Sequence, residues 1–287
     1  MPELFKQMTV CGVGLIGGSL ALIARRAGLA KTIVGLGRTR KNLDIAVKRK
    51  LIDRATRDPI EAARGADLIV LAVPILTMRR VLEPMLPYCA PGAIITDVGS
   101  VKGFVVRELE PLIAGKMSLV AAHPIAGKET AGAGAADPDL FRNRRVIITP
   151  SKTSTPAAIK KIETLWKATG ARVEKMDPDS HDKILARASH LPQVVASALA
   201  AALGGEKVAG KTPTEYGAGG LRDTTRIAAS PWEVWRDIFI ANQAALATAM
   251  KRFEIAYAEF QRLIEMGDLD RLEPLFNRGR AMRERLK

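Results

Sequence analysis

The run CGVGLIGGSL, Cys11 to Leu20, decides how the rest of the chain is read. It holds Gly12-Val13-Gly14-Leu15-Ile16-Gly17, the G-x-G-x-x-G spacing of a dinucleotide-binding turn. In a chain with 24 glycines such a string carries little by itself. Context gives it weight: a short apolar strand, MTVC, precedes the glycines, and Ser19 to Ala27 follows with helical composition. In a strand–turn–helix unit of this kind Gly12 permits the tight turn and Gly14 lets a pyrophosphate approach the backbone. Gly17 lets the helix pack closely on the strand. Free N–H groups and partial positive charge at the helix N-terminus receive the phosphates.

Outward from this unit, strand and helix patterns alternate. TIVGLG (32–37), ADLIVLAVP (66–74), GAIITDVGS (92–100), SLVAAHP (118–124) and RVIITP (145–150) read as strands, with helical stretches between most of them. Of these ADLIVLAVP, apolar throughout after Asp67, reads as a strand buried on both faces of a parallel sheet. The alternation predicts an α/β Rossmann-type doubly wound parallel sheet over residues 1–177. Pro74 and Pro124 turn the chain out of this sheet at its carboxyl edge, where ligands bind. After ARVEKMDPDSHD the strand patterns stop, and residues 178–287 are predicted to form an all-helical second domain. Its first helix, Asp179 to Leu203, is Ala-rich on nearly all sides, which suits burial against a partner subunit. Pro192 should kink that helix beside His190. Further helices are expected over 231–263 and 269–286.

The end of the second strand narrows the cofactor. An Asp or Glu there normally holds the adenosine ribose of NAD, but the chain reads GLGRTRKN and has no acid between Gly17 and Asp44. Arg38 suits a ribose carrying a 2′-phosphate, so NADP is favoured over NAD. The expected cofactor contacts are Gly12, Gly14, Leu15, Ile16, Gly17, Arg38, Thr39, Val73 and Pro74.

Composition sets outer bounds. At 287 residues two domains are expected on a prior of about 150 residues each. The 44 basic against 30 acidic residues give a formal charge of +14. The basic residues are scattered and aromatics make up only 5%, with no recognition helix or zinc finger, so no nucleic-acid partner is expected. No apolar stretch approaches the ~18 residues of a membrane span, so no membrane partner is expected either. Two cysteines, Cys11 and Cys89, offer no disulfide framework, and no ligand spacing suggests a metal. Without a signal-peptide layout, a cytoplasmic location is the expectation.

Three histidines and one arginine are candidates for chemistry. His123 ends a strand at the ligand edge and reads as a site residue. His181, in the polar stretch DPDSHDK, reads as a surface residue at a helix start. His190, on an apolar helix, reads on its own as a satisfied core histidine. Arg222 follows the glycine-rich GAGGL and can either present a guanidinium to a carboxylate or pair with Asp223.

Together GVGLIGGSLA, DVGSVKG, HPIAGKE, SHLPQ and GLRDTTRIAASP resemble the prephenate/arogenate (cyclohexadienyl) dehydrogenases of tyrosine biosynthesis, across nearly the whole chain. The resemblance implies oxidative decarboxylation of a small dicarboxylate by a stand-alone homodimeric dehydrogenase, paired through its helical domain, with hydride passing to NADP or NAD. It implies that His123 draws the proton from the substrate's ring hydroxyl, that Ser100 helps hold that hydroxyl, and that His190 lines the pocket. Arg222 would bind a substrate carboxylate, and Lys128 and Glu129 would lie on the substrate side. Lys128 stands where some relatives carry a hydroxyl residue, which leaves prephenate and arogenate both open. Two other readings are a β-hydroxyacid dehydrogenase working through Lys183 and a non-catalytic NADP-sensing module.

Overall fold

The computed structural model describes residues 3–113, 115–205 and 207–286. Its centre is one eight-stranded sheet: β1 (Phe5–Cys11), β2 (Ala30–Leu36), β3 (Arg54–Thr56), β4 (Leu68–Leu71), β5 (Ile94–Asp97), β6 (Ser118–Pro124), β7 (Arg145–Pro150) and β8 (Arg172–Lys175). The spatial order is β3-β2-β1-β4-β5-β6-β7-β8. The first six follow the 3-2-1-4-5-6 order of the dinucleotide-binding fold, with the switch point between β1 and β4.

The helices of this part are α1 (Leu15–Arg26), α2 (Arg40–Lys48), α3 (Pro59–Ala63), α4 (Met78–Leu82), α5 (Lys102–Ile113) and α6 (Pro156–Lys167). Burial is divided by the sheet. On one face Phe5, Leu20, Val120, Val146 and Trp166 form a core, with Phe141 edge-on to Trp166 at 5.2 Å between centroids. On the other face Ile69, Leu71, Val105, Leu109 and Ala121 pack together and are reached by Ile238 from the helical part. Period-2 alternation assigns the side chains: Val120 and Ala122 go to the first core, Leu119 and Ala121 to the second, which turns His123 to the second face.

Two features depart from an all-parallel sheet of six strands. β7 runs antiparallel to β6, pairing His123 with Ile147. A parallel return needs a crossover of a dozen residues or more, usually helical, and between Pro124 and Arg145 the chain forms only one short 3₁₀ turn, Ala133–Ala135. β3 and β8 are the added outer strands, short and only partly buried.

The remaining helices are α7 (Pro178–Leu185), α8 (Leu191–Leu203), α9 (Gly219–Thr225), α10 (Trp232–Ala241), α11 (Gln243–Met266) and α12 (Leu269–Glu284). The expected single helix 179–203 is divided: Ala186–His190 forms a π-helical turn between α7 and α8. Pro192 has no N–H for the carbonyl four residues back, and widening the preceding turn accommodates that loss. The expected helix 231–263 is also broken, at Asn242 between α10 and α11. Along α10–α12 the large side chains Trp232, Ile240, Phe253, Ile255, Tyr257, Ile264 and Phe276 are exposed in the single chain. No helix among the described residues is long and apolar enough to cross a membrane.

Candidate active site

The glycine turn has the geometry its spacing demands. Gly12 has φ +95°, and a Cβ there would lie 2.3 Å from the Ala72 carbonyl oxygen. A Cβ on Gly17 would lie 2.3 Å from the Gly12 carbonyl oxygen and 2.9 Å from Val10 and Ala72, so helix and strand touch at backbone distance. Gly14, the N-cap of α1, faces open space, with nothing within 4 Å of the place its Cβ would take. Leu15 and Ile16 open α1 beside that space. A diphosphate therefore fits here: the backbone is uncovered and the helix N-terminus points at it.

Arg38 and Thr39 follow the end of β2 and are exposed, and Val73-Pro74 follow the end of β4, so both pairs flank the turn. Asn42 ties this edge together, donating from Nδ2 to the Val13 carbonyl (2.8 Å) and accepting at Oδ1 from Ala133 N–H (2.7 Å). Val73, Pro74 and Ser100 line a cleft of about 270 Å³. It adjoins a larger one of about 910 Å³ that contains Ile16, Ser100, His123 and His190. Phosphate turn, Ser100 and both histidines thus share one continuous edge.

His123, 8% exposed, is held by a chain of contacts that no local sequence pattern announced. Its Nδ1 lies 2.9 Å from His181 Nε2, and His181 Nδ1 lies 2.8 Å from Asp182 Oδ1. A carboxylate only accepts, so His181 Nδ1–H donates to Asp182, and in the tautomer with its one proton on Nδ1 His181 accepts at Nε2. His123 then donates from Nδ1, which leaves its Nε2 lone pair free for the cleft. Asp182 is itself fixed by the N-terminus of α5, accepting from the Lys102 N–H (2.7 Å) and the Gly103 N–H (2.8 Å). Gly103 makes this approach possible, since a Cβ there would lie 2.8 Å from Asp182 Oδ2. His181 is fully buried, and the expectation of a surface histidine is corrected: α7 lies over the end of β6 and carries it inside.

Below His123, Lys102 and Asp97 form a fully buried ion pair. The Lys102 ammonium also donates to the Ala122 carbonyl (2.8 Å), and Asp97 accepts from Gly99 N–H (2.7 Å) and Ala122 N–H (3.2 Å). The pair clamps β5 to β6 directly before His123. Burial, reinforced by Lys102, His181 and His190, pushes the His123 pKa well below the ordinary 6.5. An unperturbed histidine is therefore not what the site contains; His123 is neutral over a wider range.

His190 is also buried. Its Nδ1 accepts from Asn242 Nδ2 (3.1 Å), which also donates to the Asp182 carbonyl (2.9 Å). Neutral His190 consequently carries its proton on Nε2. Burial lowers its pKa to about 4, with Asp182 opposing and His181 adding to the shift. Asn242 serves this contact from the break between α10 and α11; an Asn inside an otherwise apolar helical run was the available signal.

Three expected substrate residues lie apart. Lys128 is paired with Asp137 at 2.6 Å on the surface, and neither it nor the exposed Glu129 lines the His123 cleft. Arg222 is exposed on α9, outside the cleft, and forms no ion pair with Asp223 among the described residues. Lys183 lines a different cleft, with Arg107 and Arg187, away from His123.

Comparison with known proteins bears on this arrangement. Residues 20–175 match the family model described as prephenate dehydrogenase, nucleotide-binding domain, and residues 177–278 the one described as prephenate dehydrogenase, dimerization domain. The chain belongs to the prephenate dehydrogenase family. It is 34% identical over 284 residues to the cyclohexadienyl dehydrogenase of Zymomonas mobilis, covering 99% of this chain and 97% of that protein. The crystal structure of prephenate dehydrogenase from A. aeolicus in complex with hydroxyphenyl propionate and NAD+ has a TM-score of 0.92 at 31% identity, covering 98% of each chain. Synechocystis arogenate dehydrogenase has a TM-score of 0.86 at 30% identity, covering 98% of this chain and all of that one (100%). The chain is thus a dehydrogenase with a nicotinamide-nucleotide domain, and a Lys183-based β-hydroxyacid enzyme is set aside. A 3-hydroxyisobutyrate dehydrogenase from Salmonella typhimurium shares the fold, with a TM-score of 0.58 at 18% identity.

Proposed function

We propose that this dehydrogenase catalyses the oxidative decarboxylation of prephenate, arogenate or both in the His123 cleft, with NADP preferred over NAD. The observation that carries the chemistry is the His123–His181–Asp182 chain at the wall of the cleft that His123 lines; with Nδ1 donating to His181, Nε2 is the nitrogen left to accept a proton. The ring hydroxyl donates to His123 Nε2 and gives up its proton there as the carbinol carbon loses hydride. The nicotinamide, when bound, accepts that hydride. On the opposite ring carbon the bond to the carboxylate breaks, carbon dioxide leaves, and the bonding pair completes the aromatic ring. Asp182 and His181 act as positioning residues: they hold the His123 ring and fix which of its nitrogens carries the proton. Ser100, beside the cofactor edge, holds the hydroxyl, and His190 offers Nε2–H to the pocket.

The domain boundary is assigned to 177/178, supported by the end of β8 at Lys175 and the start of α7 at Pro178. The functional unit is assigned as a homodimer through the helical domain, supported by the exposed apolar side chains of α10–α12 and the dimerization-domain match. Arg222 is assigned to a substrate carboxylate through its motif. Since α9 lies outside the cleft of the single chain, that contact requires the helical domains to pair. Arg222→Ala should raise the substrate KM by about tenfold or more and leave cofactor affinity unchanged; an unaltered substrate response removes Arg222 from the site.

The NADP preference rests on Arg38. It is exposed after β2, with no hydrogen-bonded partner among the described residues, where an acid would serve NAD. Arg38→Ala should weaken NADP binding about 10- to 100-fold, the loss of a charge-assisted contact, and change NAD binding little. Equal loss for both cofactors would contradict the assignment. The function as a whole is tested by offering prephenate or arogenate with NAD or NADP and following reduced nicotinamide. Turnover in at least one of the four mixtures is expected, and silence in all four overturns the reading.

A further inference from the structure

The cleft that holds His123 is walled mostly by apolar groups, among them Val98, Ile147, Met176, Ile184 and Trp235. Only two formally charged side chains among the described residues line it, Arg145 and Glu174, and these pair with each other at 3.3 Å. Neither has a role in the chemistry above. Their position follows from sheet register. His123 on β6 faces Ile147 on β7, and Ile147 faces Glu174 on β8. Directly paired residues point to one side of a sheet, so His123, Ile147 and Glu174 form a row across three strands. Arg145 precedes Ile147 by two residues and shares that side. Two inter-strand steps place the Glu174 backbone about 10 Å from that of His123.

This separation is what the proposed substrate requires. Its hydroxyl is at one pole of a six-membered ring, and a three-carbon side chain ending in a carboxylate hangs from the opposite pole. With the hydroxyl at His123 Nε2, the side chain points along the row toward β8. Prephenate carries a keto group beside that carboxylate, and arogenate carries an ammonium.

We propose that Arg145 and Glu174 are the specificity-determining pair that reads this side chain, Arg145 taking its carboxylate and Glu174 accepting the α-ammonium. The inference rests on the oxidative-decarboxylation reading of the cleft. A carboxylate and an ammonium on one carbon present two opposite charges to an Arg–Glu pair, and each finds its complement. A keto acid presents its carboxylate to Arg145 beside an unrewarded Glu174 carboxylate, which repels it. The pair therefore favours the amino substrate, by attraction on one side and like-charge repulsion on the other. The side chains are 66% and 40% exposed, so both can turn from each other toward a ligand while remaining solvated.

The test compares kcat and KM of the full-length wild type, Glu174→Gln and Arg145→Gln on prephenate and arogenate, with the better cofactor. Glu174→Gln should lower kcat/KM for arogenate by about tenfold and leave that for prephenate equal or higher, so that the ratio of the two falls by tenfold or more. Arg145→Gln should raise KM for both substrates by about tenfold, with kcat little changed. An ion pair that merely ties β7 to β8 would shift both substrates alike in both variants. An unchanged ratio in Glu174→Gln, unchanged KM values in Arg145→Gln, or a wild type active on prephenate alone overturns the proposal. A wild type silent on both substrates with both cofactors overturns the underlying reading instead.

Discussion

His123→Asn should lower kcat by about 10²- to 10⁴-fold, the range supplied by one positioned general base, and leave the dissociation constant for the nicotinamide cofactor within about twofold. An asparagine amide can still meet the ring hydroxyl through a hydrogen bond, but it cannot take the proton. The hydroxyl then has to release its proton to water in a cleft whose walls are mainly apolar. Cofactor binding is spared because the glycine turn lies at the β1–α1 junction, three strands from β6 in the sheet order. Steady-state turnover and a cofactor titration of the same preparation separate the two effects. Activity within about tenfold of wild type would remove His123 from the reaction.

The second large effect is structural and lies below the histidine. Lys102→Met should destabilise the fold by about 3–5 kcal/mol, because it leaves the Asp97 carboxylate fully buried without its cation. Two backbone N–H groups, of Gly99 and Ala122, still reach Asp97 but do not neutralise it. The Asp97→Asn/Lys102→Met double variant should recover most of the loss, since removing both charges avoids an unpaired one. Thermal or denaturant unfolding of the three proteins checks this. A single variant as stable as wild type would show that the pair does not clamp β5 to β6. Lys102 also matters to the reaction, because its positive charge is one cause of the lowered His123 pKa.

Which parts of this site could be read in the chain depended on how far each contact reaches. The glycines were legible because their spacing belongs to one strand–turn–helix unit: Gly12 takes the positive φ of the turn, and Gly17 packs against Gly12 and Val10 of the same unit. His123 was legible as the last polar residue of an apolar strand at the ligand edge. His181 was not. Its surroundings, DPDSHDK, describe a helix start, and that much is true: Asp177 accepts from Ser180 N–H at 2.9 Å and caps α7. What buries His181 is the docking of α7 on β6 and α5, a contact with residues 58 and 80 positions away. Polar composition cannot distinguish a solvated helix start from one whose polar groups meet partners inside. The outer strands β3 and β8 escaped notice for a related reason. RAT and RVEK lack an apolar run, and only the neighbouring strands make them extended. Arg222 shows the reverse case, a motif pattern naming a residue that the single chain leaves outside the cleft.

The pH dependence of kcat/KM bears most directly on the central claim, that a neutral His123 is the base. Facing it are the Lys102 ammonium at the start of α5, His181 on α7 and His190 at the end of the π-helical turn. All three add to burial in disfavouring its charged form. The sign follows: the free enzyme is competent wherever His123 is unprotonated, so a lowered pKa extends full activity to more acid pH. The predicted profile stays flat as pH falls through 6.5 and bends down only well below it. An acid limb centred at or above 6.5 would contradict the account.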